Sequence, residues 1–378
     1  MLAARVINHR AARLLVAAIA IVLMSAASAQ TPEQMAEYRA RLAQYNAARE
    51  AYQVHAAPYW AAVKAKRAER FAKRRAHREI TLDDYVLIQP PEYTGPKKPV
   101  DPSATATEVP VVADFLRHAA EQFDFTPDRP SNEIAFKRAY ARVAAAAGLT
   151  KDQAVRIYGF EATGNGTYVV QAGLEYDKPD AMPITTALGY NQLLSTNTVE
   201  LLAEQGGQFI DALKNRAAEA SGARKAALER KIATLRKMVA FSHSVRDDWN
   251  LHERLAGTPK GLAVHALNLD IDVGPLLQTQ KLMTSVIFAR QRGYSAPLTA
   301  AELEMMNLTG DGNGLDMISL PPNLRKQVPT SNFFTQSGYE HNPVARRANV
   351  VSALLAATDA VMDRETQLQG AKDLAAQF

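Results

Sequence analysis

The chain has 378 residues, no cysteine, a formal charge of +5 at pH 7 and an isoelectric point near 9.2. Without cysteine it forms no disulfide and carries no lipoprotein anchor, so its stability must come from its core. This length allows one large domain with an appended segment.

Residues 1–29 have the pattern of a secretory signal. Three arginines precede the apolar run Leu14–Met24, and Ala27-Ser28-Ala29 fits a small-residue cleavage site. An uncleaved signal anchor is the alternative. No later apolar run is long enough to span a membrane. We therefore predict a periplasmic or secreted protein of the bacterial envelope, for which nucleic acid is not an expected partner.

Residues 30–80 are predicted to form a basic, tyrosine-rich helical segment. Apolar and tyrosine side chains recur in alternating steps of three and four from Met35 to Val63, and Pro58 is expected to kink or split the helix. The tyrosine stripe is predicted to pack on the main domain or, alternatively, to form a coiled-coil contact between two chains.

The positive charge of the mature chain is concentrated in one tract. Eight Lys or Arg residues and one Glu lie between Lys64 and Arg78. This tract is either a solvated helix face or a site of attraction to an anionic envelope surface.

Residues 81–110 contain repeated prolines and no apolar period, which indicates a linker. Residues 111–378 are predicted to form a helical domain. The expected fold is therefore all-α, with at most a small β-hairpin near Thr167–Gln171, where the residues alternate. Helices are predicted over Val111–Gln122, Asn132–Ala147, Lys151–Thr163, Thr198–Lys214, Ala223–Val245, Pro275–Arg292, Thr299–Met306 and Val344–Leu374.

One acidic residue stands at the end of a well-marked helix. Thr150 and Gln153 form a predicted capping box, and Gly164 and Gly166 are typical of a helix end. Glu161 then lies in the last turn, where the helix dipole disfavours a carboxylate. An acid in this unfavourable place indicates a functional role.

This region resembles the catalytic domain of the lytic transglycosylases, lysozyme-like enzymes that cut the glycan of peptidoglycan. The resemblance rests on Gly159–Gly164, which includes Glu161, and on Ala187–Thr196, which includes a Gly-Tyr-Asn-Gln sequence. Met306–Gly310 is similar to a third cleft motif, and Asp270–Leu282 to the helix before it. The chain departs from the family pattern at Ala162, which replaces a serine, and at Tyr190-Asn191, which replaces Leu-Met.

The resemblance implies that Glu161 is the catalytic acid and base. It implies that Gly189, Tyr190, Asn191 and Gln192 belong to the substrate groove, and Asn307 to the third motif. From their chemistry, Tyr168 and Tyr190 are expected to stack on sugar rings. The structural alternative is that Tyr190 is a core aromatic and that Gln192 caps the helix that begins near Ser195. In this chemistry a sugar hydroxyl attacks the anomeric carbon, so a single carboxyl suffices and no cofactor is needed. Burial is expected to raise the pKa of Glu161.

Two other functions stay open. The departures from the family motifs favour a non-catalytic wall-binding or scaffold protein on a degenerate lysozyme-like fold. A hydrolytic muramidase would need a second carboxylate, for which Glu175, Asp177 and Asp180 are the nearby candidates. No metal site is predicted, because the histidines lack ligand spacing and Asp311–Asp316 departs from the calcium-loop pattern, which favours a flexible cleft loop.

Overall fold

A computed structural model describes residues 31–104, 108–174 and 182–378. The chain divides into two compact units, one of Met1–Tyr59 with Pro90–Thr107 and one of Trp60–Gln89 with Glu108–Phe378. The predicted signal, residues 1–29, lies outside the described residues.

The smaller unit joins the first part of the long N-terminal helix to the proline-rich segment. The ring of Tyr93 makes edge contacts with Tyr45 and Tyr52, at centroid distances of 6.3 and 5.4 Å. Arg49 lies over the rings of Tyr52 and Tyr93, and the Tyr52 hydroxyl donates to the Pro91 carbonyl at 3.2 Å. The predicted tyrosine stripe therefore packs, at these positions, on residues predicted to be a linker.

The described residues form sixteen α-helices and no sheet, which confirms the all-α prediction. They are α1 (Pro32–Arg75), α2 (Val112–Phe123), α3 (Glu133–Ala147), α4 (Lys151–Glu161), α5 (Ser195–Glu219), α6 (Gly222–Ser242), α7 (Trp249–Ala256), α8 (Pro259–His265), α9 (Gly274–Gln291), α10 (Ala300–Thr309), α11 (Asp311–Ile318), α12 (Pro322–Arg325), α13 (Gln336–Glu340), α14 (Pro343–Arg347), α15 (Val351–Glu365) and α16 (Gln369–Ala375).

Several local predictions need correction. Helix α1 is continuous through Pro58, so this residue does not split it. Residues 167–171 form turns with a single bridge, from Gln171 to Leu188, so the predicted hairpin arm is absent from this described stretch. Residues 311–318 are helix α11 and not a flexible loop. The predicted last helix is three shorter helices, α14 to α16.

The segment after α1 is also more ordered than a linker. Leu82–Asp84 forms a 3-10 turn, and Tyr85 is buried at 4% exposure. The backbone N–H of Val86 donates to Asn332 Oδ1 at 2.9 Å, and Asn332 Nδ2 donates to the Val86 carbonyl at 2.8 Å. These paired bonds fix residues 82–86 within the larger unit.

Much of the basic tract makes internal contacts. Arg70 is fully buried, and its Nε donates to Asp316 Oδ2 at 2.8 Å. Arg74 donates to the other oxygen of Asp316 at 2.8 Å, and Lys73 pairs with Asp84. Residues Trp60–Gln89 are thereby part of the larger unit and not of a separate segment that ends at residue 80.

Within the described ranges, no helix is long and apolar enough to cross a membrane.

Candidate functional site

Glu161 is the last residue of α4, in the position that the sequence predicts. The capping box is confirmed: Thr150 Oγ1 accepts from the Gln153 N–H at 3.1 Å, and Gln153 Oε1 accepts from the Thr150 N–H at 2.9 Å. The helix ends because Thr163 and Gly164 take left-handed backbone angles, with φ of 54° and 65°. A Cβ on Gly164 would lie 2.3 Å from the Glu365 carbonyl oxygen, so this end of α4 requires glycine.

Helix α10 supplies two side chains to the Glu161 carboxyl. Asn307 Nδ2 donates to Glu161 Oε1 at 2.8 Å. Glu304, one turn earlier on α10, is 1% exposed, and its carboxyl interacts with that of Glu161. The capping box of Thr299 and Glu302 begins α10 and sets this register. The second oxygen of Glu304, Oε2, has no hydrogen-bond partner among the described residues.

The two carboxyls titrate as a pair. Burial raises the pKa of Glu161 to about 7, although the charge of Lys281 and hydrogen bonds from Glu304 and Asn307 lower it. Burial, followed by the charge of Glu161, raises the pKa of Glu304. Two carboxylates in contact cannot both ionise freely at neutral pH, so the pair retains a proton there.

Lys281 on α9 is the cation of this site. Burial lowers the pKa of Lys281, whereas the charges of Glu161, Glu304 and Glu200 raise it. Lys281 acts on these acids through its charge. It also lines the adjoining cavity.

A cavity of about 320 Å³ lies beside Asn307, the residue that donates to Glu161. Asn307 and Lys281 line it, and so does Trp249, which is 42% exposed. Glu161 keeps part of its surface accessible to solvent, but protein atoms surround its carboxyl, and Glu161 is not among the residues that line this cavity. The remaining lining residues are mostly polar: Asn197, Glu200, Leu201, Glu204, Thr284, Ser285, Met306, Gly310 and Asp311.

Three of these lining residues are acids with raised pKa values. Burial and the charge of Glu204 raise the pKa of Glu200 to about 7. Burial also raises the pKa of Glu204 and of Asp311, and the Ser285 hydroxyl donates to Asp311 Oδ1 at 2.5 Å. The cavity therefore offers both hydrogen-bond donors and acceptors, since the Glu200 carboxyl, with a pKa of about 7, is partly protonated at neutral pH.

The Gly-Tyr-Asn-Gln sequence forms a tight turn between Leu188 and Leu193. Gln278 on α9 holds this turn: its Oε1 accepts from the Asn191 N–H at 2.8 Å, and its Nε2 donates to the Leu188 carbonyl at 3.1 Å. Gly189 has φ of 81°, and a Cβ there would lie 2.5 Å from Gln278 Nε2. Glycine is therefore required at residue 189 by the packing of the turn.

The side chains of this turn contact protein. Tyr190 is fully buried, 4.8 Å from the ring of Tyr158, and its hydroxyl donates to Glu133. Asn191 is also fully buried and donates to the Gln278 carbonyl at 2.7 Å. The role of these two residues in substrate binding stays a prediction, because both side chains are fully buried and contact protein.

Gln192 and Tyr168 likewise have protein partners. Gln192 Nε2 donates to the Gly189 carbonyl at 2.8 Å. Tyr168 stacks on Phe136 at 4.9 Å between centroids, and its hydroxyl accepts from Arg129 Nε at 2.9 Å. Of the predicted site residues, the structure thus brings Glu161 and Asn307 into direct contact.

Sequence reasoning missed Glu304 and Lys281. An available signal was the charged residue inside the apolar run Leu303–Met306, which forms the buried face of α10. The three candidates for a second carboxylate, Glu175, Asp177 and Asp180, lie outside the described residues. No group of three or more potential metal ligands is found in the parts of the chain that the structure describes.

Comparison with protein-family models, with curated proteins and with solved structures finds no match for this chain.

Proposed function

We propose that this protein cleaves peptidoglycan glycan strands in the manner of a lytic transglycosylase, with Glu161 as general acid and base. The observation that carries the proposal is the Glu161 carboxyl itself. It is held by Asn307 next to a cavity, and burial raises its pKa to about 7. A carboxyl with this pKa can donate a proton and recover it at neutral pH.

In the proposed reaction, protonated Glu161 donates its proton to the glycosidic oxygen as the bond from that oxygen to the anomeric carbon breaks. The C6 hydroxyl of the same sugar then attacks the anomeric carbon and gives its proton to the Glu161 carboxylate. A new bond joins C1 to O6, and no water is consumed. The positive charge of Lys281 favours the carboxylate between these two steps.

The closeness of Glu304 disfavours a hydrolytic pair made of Glu161 and Glu304. Paired carboxyls of glycosidases stand about 5–9.5 Å apart, because the sugar or a water must fit between them. Glu161 and Glu304 instead interact directly, each shifting the pKa of the other. We assign Glu304 the role of a positioning residue, which shares a proton with Glu161.

The test is to digest purified sacculi with the wild-type protein and with Glu161→Gln, and to measure the molecular masses of the released fragments. Anhydro-ended fragments from the wild type alone would support the proposal. Fragments with reducing ends would indicate hydrolysis, and no release by either protein would favour the non-catalytic scaffold function. Glu229→Gln, which changes an exposed glutamate on α6, is the matched control and should behave as the wild type.

A further inference from the structure

A second cavity, of about 550 Å³, lies where the last turns of α1 and α9 meet the first turn of α11. Its apolar lining comes from Phe71, Phe288 and Leu315. Its cationic lining comes from Arg74, Arg75 and Arg292. The volume is in the range of small-molecule sites, and no acidic side chain is among the described residues that line it.

The positive charge near this cavity exceeds the local negative charge. Asp316 accepts hydrogen bonds from both Arg70 and Arg74, so one carboxylate serves two guanidinium groups. Arg67 stands next to them and donates to the carbonyls of Asn332 and Phe334, which carry no full charge. Burial and then the repulsion of Arg70 lower the pKa of Arg67. A bound anion would relieve this excess.

Two exposed arginines stand at the rim without a described ion-pair partner. Arg75 is the last residue of α1, and Arg292 follows the last residue of α9. The Arg292 guanidinium lies 5.1 Å from the centroid of the Phe288 ring. Basic residues are common at helix C-termini, where they complement the dipole. The dipole alone does not explain an apolar hollow between these arginines.

We infer that this cavity binds an anionic amphiphile with one alkyl chain. Arg75 and Arg292 hold its phosphate or carboxylate headgroup, and Phe71 and Phe288 contact the chain. The apolar walls favour binding of this ligand over a free anion. The guanidinium groups without a described ion-pair partner favour it over a neutral detergent. The inference is independent of the proposed glycan cleavage, since its residues are separate from the Glu161 site.

The experiment is isothermal titration calorimetry of the full chain with four probes, and the three amphiphiles among them are kept below their critical micelle concentrations. They are dodecyl phosphate, octyl phosphate, dodecyl maltoside and inorganic phosphate. We expect saturable binding of dodecyl phosphate. Octyl phosphate should bind at least tenfold more weakly, because each buried methylene contributes up to about fourfold in affinity. Dodecyl maltoside and inorganic phosphate should show no saturable binding over the same concentrations.

Two variants locate the site. The double variant Arg75→Glu, Arg292→Glu should weaken dodecyl phosphate binding by more than about tenfold, because it reverses both charges at the rim. Arg142→Glu, at an exposed arginine of α3, is the matched control and should leave the affinity unchanged. Both positions of the double variant are exposed, and circular dichroism would verify that the fold is retained.

Other outcomes overturn the inference. If dodecyl maltoside bound as tightly as dodecyl phosphate, the cavity would not discriminate between a charged and a neutral headgroup. Equal binding of inorganic phosphate would mean a simple anion site without a role for the apolar walls. Absence of dodecyl phosphate binding, or an unchanged affinity in the double variant, would show that the cavity does not take this ligand.

Discussion

Asn307 Nδ2 and Glu161 Oε1 lie 2.8 Å apart, and this hydrogen bond joins two residues that are 146 positions apart in the chain. The amide donor stabilises the ionised carboxyl and so opposes the effect of burial on its pKa. The contact therefore helps to set how readily Glu161 gives up a proton.

Replacing Asn307 by alanine should raise the pKa of Glu161 further. The hydrogen bond from Asn307 stabilises the ionised form of Glu161, and this stabilisation is lost in the variant. A hydrogen bond of about 1.5 kcal/mol to a charged group corresponds to about one pKa unit. Carbon-detected NMR titration of the side-chain carboxyls would measure the change. Asn323→Ala, at an exposed asparagine on α12, should leave the Glu161 titration as in the wild type.

Glu304→Gln should simplify the titration of Glu161. In the wild type the two carboxyls interact, so their protons leave in steps that belong to the pair. Glutamine keeps the shape and a hydrogen-bond donor but cannot ionise, so Glu161 should then follow a single one-proton curve. The same NMR titration would reveal it. A curve identical to that of the wild type would contradict the proposed sharing of a proton.

The pH dependence of stability should report the buried carboxyl. Because the folded-state pKa of Glu161 is about 7 against an ordinary value of 4.5, the folded protein holds this proton more tightly than the unfolded chain. Its contribution is present below pH 4.5 and is lost as the pH rises through 7. Urea unfolding should therefore show a loss of ~3 kcal/mol across this range that is smaller in Glu161→Gln, in which Glu304 and Glu200 still titrate. A parallel loss in the variant would place the effect at other groups, such as Glu200.

Asp316→Asn should be strongly destabilising. The change leaves the guanidinium of buried Arg70 and that of Arg74 without their shared counter-charge. Removing one partner of a buried ion pair costs about 3–5 kcal/mol. Urea unfolding would measure it. Asp359→Asn changes a more exposed partner of Arg156, and its effect should stay within about 1 kcal/mol.

Tyr190→Phe separates a packing role from a substrate role. Its hydroxyl donates to the half-buried Glu133, and loss of that bond should cost about 1–2 kcal/mol in unfolding free energy. If Tyr190 is only a core residue, fragment release from sacculi should be unchanged at a temperature where the variant is folded. A raised KM for the glycan with unchanged kcat would instead favour direct substrate contact.

Much of the local structure follows from nearby residues. The helical period and the Thr150 capping box predict α4, and left-handed residues after Glu161 end it within two positions of the predicted boundary. Capping depends on side chains three residues apart, so it can be predicted from a short stretch of sequence. The alternating pattern at residues 167–171 wrongly predicted a strand. A strand needs a neighbouring strand for its backbone hydrogen bonds, and of these residues only Gln171 forms a bridge.

The sequence by itself determined that the chain is helical and that Glu161 ends a short helix, because both depend on contacts within a few residues. Only the tertiary structure decided what surrounds that carboxyl. Glu304, Asn307 and Lys281 come from helices more than a hundred residues away, and their approach depends on how α4, α9 and α10 pack. Burial and proximity of charge set a pKa, and neither is encoded in the spacing of residues along one helix.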